Sequence, residues 1–389
     1  MTETIFLRTL TGSGTLVELH YSSTAEAGFG NLSIAGQELM NINPFCISSY
    51  LAFRYVVDPD QSWLPDVRPT YPKVEESQQV AVGSAKEILA SLRDTIGRRE
   101  SHEKTGIFLS GGIDSAIIAA LLPVGTKAYT INFIADSGAR EINFSRKYAE
   151  VHGLDLTSID VTWQDYVNYE EHLMASKKAP LHPVEVALFK AAQKAHQDGL
   201  TSVFVGNGAD STFGGMDKLL SREWTFEEFV ERYTFINPEK ILEDPVDLRS
   251  VYRRYRTSTG VDVLSFLKYV HGAGIIQAFN NSVHAAGIEL IEPFEKMKLK
   301  GHLDIERIRG GEPKYYLVEL FRRLYPDIDP PRKIPFARPM DEWLSDYAGP
   351  TANVFKDDLD MSGFSGDQKY LIRSLDGFLS YLEKENICR

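Results

Sequence analysis

Six residues, Ser110-Gly111-Gly112-Ile113-Asp114-Ser115, separate an apolar run that reads as a β-strand (Gly106 to Leu109) from one that reads as a helix (Ala116 to Leu122). A strand that feeds a helix through so short a loop points to a layered α/β fold. The two glycines permit a tight turn with inward-facing N–H groups, and the following helix turns its positive dipole end and free first-turn donors toward the same point. Ser110 and Ser115 add hydroxyls. A phosphate group suits such a cradle. Asp114 beside a phosphate calls for a cation between them, which implies Mg²⁺. An isolated Gly-Gly pair is more often an ordinary turn, but here the strand before, the helix after and the carboxylate within serve one purpose. The pattern GxxxxGK(S/T) is absent from this loop, so it is not a Walker motif.

The formal net charge of −12 opposes a protein that grips a nucleic-acid backbone. Arg253, Arg254 and Arg256, interleaved with Tyr252 and Tyr255, read as a solvated helix face. No stretch approaches the ~20 apolar residues that cross a bilayer, and Met-Thr-Glu-Thr-Ile lacks the start of a secretory signal, so a cytoplasmic protein without membrane contact is expected. The two cysteines, Cys46 and Cys388, cannot supply a four-thiolate zinc site, and no disulfide is expected in a reducing compartment. With 389 residues the chain has room for two domains, or for one large domain with a subdomain.

Strand character with turn signals marks the start of the chain: Thr4 to Arg8, the Gly12-Ser13-Gly14 turn, and Leu16 to Tyr21. Pro59, Pro65, Pro69 and Pro72 then punctuate an expected extended connector. Ser84 starts a helix with Glu87 placed for a capping box, and Ile88, Leu89, Leu92 and Ile96 share one face. From residue 105 strands and helices alternate: Lys127 to Phe133 reads as a strand, Ala139 to His152 as its helix, and Val184 to Ala195 as a helix on the sheet ended by Gly199. Thr201 to Val205 is a further strand, entering a second glycine-rich turn, Gly206 to Gly215. Beyond about residue 220 the chain reads as mostly helical, without repeats.

That second turn carries Asp210 after a strand, as the first carries Asp114. Ligands in open α/β sheets gather beyond the carboxyl ends of strands, so both carboxylates can meet one Mg²⁺-pyrophosphate. Alone, the turn is as readily structural, since Asp often bonds its own turn backbone.

Ser110 to Ser115 resembles the SGGxDS pyrophosphate loop of ATP pyrophosphatases, and the wider pattern resembles the synthetase domain of the asparagine synthetase family over about residues 105–345. Gly206 to Gly215 is similar to the family's SGEGADExFGG, and Pro180-Leu181-His182-Pro183 to the segment before it. Gly287 to Phe294 is similar to GLEVRVPF, and Pro331 to Phe336 to an RxKxxF block ahead of Asp341 to Leu344. Residues 50–74 resemble the stretch that joins the family's glutaminase and synthetase domains.

The resemblance implies a doubly wound, mostly parallel sheet of the PP-loop, adenine nucleotide alpha-hydrolase-like kind. A reduced β-rich region with its connector would occupy 1–80, and a ligase domain, helical toward its C-terminus, 81–389. It implies ATP and pyrophosphate contacts at Leu109, Ser110, Gly111, Gly112, Asp114, Ser115, Ile131, Phe133, Val205, Gly206, Asn207 and Gly208, with Mg²⁺ on Asp114 and Asp210. Lys333 matches a lysine that neutralises charge developing at the α-phosphate, and Lys314 is a weaker candidate for phosphate contact.

Two departures from the family bear on the chemistry. Residue 2 is threonine where the family's glutaminase has its cysteine nucleophile, and the region after it is too short for that domain, so glutamine hydrolysis is not expected. The nitrogen would come from free ammonia, from a separate donor enzyme or from an amine substrate. Asn207 stands where the family has a glutamate that takes a proton from ammonia, and an amide is no base near neutral pH. Glu289 and Glu292 are the carboxylates expected to replace it, against an even alternative of surface or paired acids; His182 and His284 are expected to be structural.

The reaction so implied is adenylation of a small-molecule carboxylate by Mg·ATP with release of pyrophosphate, then capture of the acyl group by an amine or ammonia with loss of AMP. Aspartate is not the expected substrate, because the block at 287–294 differs from the family's at adjacent positions. A homo-oligomer is compatible with this reading. The rival chemistry is sulfur transfer to an adenylated nucleobase or small molecule, which calls for catalytic cysteines and leaves Cys388 as the residue to test. A binding protein without catalysis is a third reading, opposed by the carboxylate pair.

Overall fold

The computed structural model describes residues 4–10, 16–22, 42–72, 78–98, 104–136, 142–331 and 338–387. Its contacts divide the chain into two units, Met1–Ile42 and Asn43–Arg389. In the first, β1 (Thr4–Leu10) and β2 (Leu16–Ser22) pair antiparallel, with Thr4 opposite Ser22 and Leu10 opposite Leu16. Both strands extend beyond the expected ranges; the Gly12–Gly14 turn lies outside the described residues.

The second unit begins earlier than the expected boundary near residue 80, because residues 43–72 bury their apolar side chains within it. Helix α1 (Pro44–Phe53) starts with proline in its first turn, capped by Asn43, whose Oδ1 accepts the Phe45 N–H at 3.0 Å. Its Tyr50 hydroxyl donates to the Leu181 carbonyl at 2.6 Å. The proline-rich stretch is also packed down: Trp63 is fully buried, edge-on to Phe378, and the Thr70 N–H donates to the Lys177 carbonyl at 2.9 Å.

Strand β3 (Val80–Val82) leads into α2 (Ala85–Gly97), which buries Ile88, Leu92 and Ile96 as its periodicity requires. Ser84 Oγ accepts the Glu87 N–H at 3.3 Å, while the Glu87 carboxylate accepts from Gly83 at 2.7 Å, one residue earlier than a capping box would have it.

The alternation that follows is β4 (Thr105–Phe108), α3 (Ile113–Ala119), β5 (Lys127–Phe133), α4 (Ile142–His152), β6 (Asp155–Val161), α5 (Trp163–Lys177), α6 (Glu185–Gln197), β7 (Ser202–Phe204) and α7 (Ala209–Phe213). Much later come β8 (Glu289–Ile291) and β9 (Met297–Leu299); β9 pairs parallel with β3. The main sheet has the order β6-β5-β4-β7-β8, with every neighbouring pair parallel. Both edge strands escape the sequence pattern: β6 mixes polar and apolar residues, and β8 has three residues whose strand state comes from pairing with β7. One face is covered by α3, α4 and the helix Tyr315–Leu324, whose Leu317, Leu320 and Phe321 share a core with Ile117 and Tyr148. The other carries α6, against which α5 and the helix Ala273–Ala285 pack.

The helical part between β7 and β8 has an aromatic core of its own, in which Phe229, Tyr233, Tyr252 and Phe266 close on Phe53. Arg253, Arg254 and Arg256 are exposed beside the buried Tyr252, as a solvated face requires. Among the described residues no helix is long and apolar enough to cross a membrane.

Candidate active site

The chain proceeds from β4 outward to β5 and β6, then returns to the other side for β7 and β8. The order therefore reverses between β4 and β7, which is where a parallel sheet opens a crevice beyond its carboxyl ends. Loops 110–115 and 206–215 leave these two strands. Between them lies a cavity of about 320 Å³, lined by Leu109, Ser110, Asp114, Ile131, Val205, Gly206, Asn207, Gly208 and Asp210.

The first loop is internally braced. Ser115 Oγ accepts the Ser110 N–H at 3.1 Å and lies 2.9 Å from Ser110 Oγ, which accepts the Gly112 N–H at 3.2 Å. Tyr148 donates to the Gly111 carbonyl at 3.3 Å from behind. Gly111, Gly112 and Ser115 thus shape the loop, while Ser110 and Asp114 line the cavity. The second loop presses on the first: a Cβ on Gly206 would lie 2.9 Å from both Asp114 Cβ and the Ser115 nitrogen, so no other residue fits. Phe133 is not part of the lining; its ring meets Trp343 edge-on at 5.9 Å.

Asp114 and Asp210 converge as their loops predict. The cation between them is Lys314, whose Nζ lies 2.5 Å from Asp114 Oδ2 and 2.6 Å from Asp210 Oδ1. Burial alone would lower the ammonium pKa, but the two carboxylates reverse this and hold it above its ordinary value. Carboxylate oxygens that meet on one ammonium can also meet on one Mg²⁺. Among the described residues no group of three or more His, Cys, Asp or Glu could hold a metal, so phosphate oxygens and water would complete its shell, as Mg²⁺ commonly prefers.

Neither of the carboxylates expected to replace the missing base lines this cavity, but Glu292 is bonded to its wall through Asn207 and Glu289 is not. Glu292 accepts from Asn207 Nδ2 at 3.1 Å and from Asn280 Nδ2 at 3.2 Å. Burial raises its pKa, and these two bonds oppose the rise. Glu289 pairs with Ser202 at the foot of β8, the opposite end of the strand from the loops, and does not line the cavity. Lys333 lies outside the described residues.

Among the chargeable lining residues, Glu295, His271 and Arg338 escaped the sequence reading, and His182 was expected to be structural only. Glu295 sits just beyond the Pro293-Phe294 pair, and Gly208, at φ +85°, would place a Cβ 2.7 Å from its carboxylate. Burial, then the charge of Glu292, push its pKa up to about 7. His271 arrives on a π-helical turn, Leu267–Gly272, a feature that often re-aims a side chain at functional sites. Arg338, paired through Nε and Nη2 with Asp367 at 3.1 and 2.6 Å, and His182 complete the set. A lone His or Arg carries no local signal of this kind. His284 is exposed in the last turn of Ala273–Ala285.

Cys46 offers nothing to sulfur chemistry: it is fully buried in α1, and desolvation, then the charge of Asp58, raise its pKa to about 12. Cys388 lies outside the described residues.

Over part of its length the chain is similar to known proteins. "Amidase chry2" of Gibberella zeae is 26% identical over 162 residues, 37% of this chain and 24% of that protein. "Amidase chyE" of Penicillium rubens is 25% identical over 158 residues, 36% and 23% of the two chains. A Methanocaldococcus jannaschii protein named "Putative asparagine synthetase", glutamine-hydrolyzing, is 28% identical over 140 residues, 34% and 25%. Each alignment covers about a quarter of the relative's length. The family model described as asparagine synthase matches residues 87–370, a span that holds both loops, the cavity and Lys314, and the chain belongs to that family.

Proposed function

We propose that the chain is an ATP-dependent, AMP-forming amide synthetase that adenylates a small-molecule carboxylate and passes the acyl group to an amine or ammonia. The observation that carries this reading is the convergence of Asp114 and Asp210 on one cation at the switch point, beneath a braced loop without a Walker lysine. Family membership and the amide chemistry in the relatives' names support it.

Leu109, Ile131 and Val205 form an apolar wall for the nucleotide, and Ser110 with the loop backbone faces its phosphates. Asp114 and Asp210 would hold Mg²⁺, which when bound neutralises the pyrophosphate leaving group. Lys314 remains beside them as a fixed positive charge, and Lys333 supplies charge at the α-phosphate. Glu292, fixed by two amide donors, is the proton acceptor for the incoming amine. Positioning and charge account for most of the catalysis, since the covalent changes belong to the substrates.

The test is product analysis with Mg·ATP and a panel of carboxylates and amines. AMP and PPi in equal amounts, dependent on one carboxylate, support the proposal. ADP and phosphate as the stoichiometric products reject it.

A further inference from the structure

His182 stands on the segment Pro180–Pro183, which has no regular structure and is nevertheless pinned from every side. Lys177 and Glu185, both essentially inaccessible, pair at 2.5 Å, and Lys177 also donates to the Pro180 carbonyl at 3.2 Å. Glu185 accepts the His182 N–H at 2.7 Å and the Asn281 amide at 2.7 Å. Ser374 Oγ accepts the Leu181 N–H at 2.8 Å, and Tyr50 binds the Leu181 carbonyl. A buried, hydrogen-bonded ion pair is costly to assemble and worth little by itself. Here it fixes one imidazole.

That imidazole is 6% exposed and lines the cavity. Its Nδ1 accepts the Val184 N–H at 3.3 Å, which leaves the ring proton on Nε2. Nε2 is buried and has no hydrogen-bond partner among the described residues. An orphaned donor in a cavity wall marks a place where a ligand atom belongs. The surrounding charge bears on the kind of atom: Arg338, itself paired with Asp367, and His271 share the lining, with Arg54 behind His271, while the lining carboxylates are Asp114 and Asp210 on the phosphate side and Glu295 beside Gly208.

We propose that His182 is a substrate-binding residue whose Nε2–H holds an oxygen of the carboxylate to be activated. The proposal rests on the adenylation reading above. The ring acts as a donor and never as a base, because burial, then the charges of Arg54, Arg338, Lys177 and His271, keep its pKa far below the usual value. Its donor capacity is therefore constant across the working pH range.

The experiment uses the full chain labelled with ¹⁵N-histidine. Wild-type protein is titrated with sodium acetate against a chloride-matched control, with and without the non-hydrolysable Mg·AMPCPP, while the ring resonance missing from His182→Met is followed. A neutral Nε2–H tautomer from pH 5.5 to 8.5 that shifts with acetate supports the proposal. A ring that titrates in this range, ignores acetate, or shifts fully with Mg·AMPCPP alone overturns it. With the carboxylate that drives PPi release, His182→Met should raise its KM tenfold or more without a matching change for ATP, and His182→Gln, which keeps a donor near Nε2, should recover most of the loss. Equal KM values in His182→Met and wild type reject the role of His182 and leave the synthetase reading intact. If no carboxylate drives PPi release, the synthetase reading fails, and the acetate titration alone decides for or against the anion site.

Discussion

Asn207 donates its side-chain amide to Glu292 at 3.1 Å, so the residue in the place of the family's glutamate now holds a different glutamate. Asn280 holds the other carboxylate oxygen. The carboxylate that Asn207 holds follows the end of β8 and does not belong to the β7 loop.

Glu292→Gln should therefore spare the first half-reaction more than the second. We expect a burst of PPi followed by amide formation slowed about 10²-fold or more, the usual scale of a lost general base. Rapid-quench measurement of PPi and amide in one sample decides. Equal rates of amide formation in variant and wild type would remove Glu292 from the mechanism.

Lys314→Met leaves Asp114 and Asp210 facing each other without their buried counter-charge. Breaking a fully buried pair costs about 3–5 kcal/mol; solvent reaches the Asp210 side chain, 39% exposed, so the loss should fall below that range, and added Mg²⁺ should return part of it. Urea unfolding with and without Mg²⁺ measures both. Mg²⁺ that leaves the midpoint of the variant unchanged would exclude the two carboxylates as its site.

Glu295 makes stability depend on pH. Its folded pKa, about 7, lies above the ordinary glutamate value, so its protonated form is favoured by folding: the contribution is complete below about pH 4.5 and is lost as pH rises through 7. Glu295→Gln should consequently be more stable than wild type at pH 8 by roughly 1–3 kcal/mol and nearly equal to it at pH 4.5. Thermal melts across this range give the answer, and parallel curves would refute the shift.

Lys333→Ala should lower kcat about 10²-fold with a smaller effect on ATP affinity, because a charge aimed at the α-phosphate strengthens as the transition state forms. Lys333→Arg should rescue poorly, since a planar fork does not occupy the place of a compact ammonium. Single-turnover PPi release beside equilibrium ATP binding separates the two effects. Unchanged release in Lys333→Ala would make it a surface residue.

Local sequence was enough for whatever depends on neighbours in the chain. Ser110 to Ser115 announces its strand, turn and helix because glycine, hydroxyl and carboxylate must follow one another within one loop. Lys127 to Phe133 is a strand over the expected residues, and the carboxylates of Asp114 and Asp210 meet because both follow parallel strands. What depends on partners far away in the chain was hidden. Strand β8 exists through its pairing with β7, 85 or more residues earlier, and that register sends Glu289 to the foot of the sheet and brings Glu292, just past the strand's other end, against Asn207 of the crevice wall. Residues 43–72 join the larger unit through contacts such as Tyr50 to Leu181, and Lys314 reaches Asp114 across 200 positions. His182 read as structural because no carboxylate accompanies it in sequence; only the fold shows that its Nδ1 is satisfied and that its Nε2 is buried without a hydrogen-bond partner among the described residues. Hydrogen-bond satisfaction and burial are sums over the whole fold, and the chain states neither until it is packed.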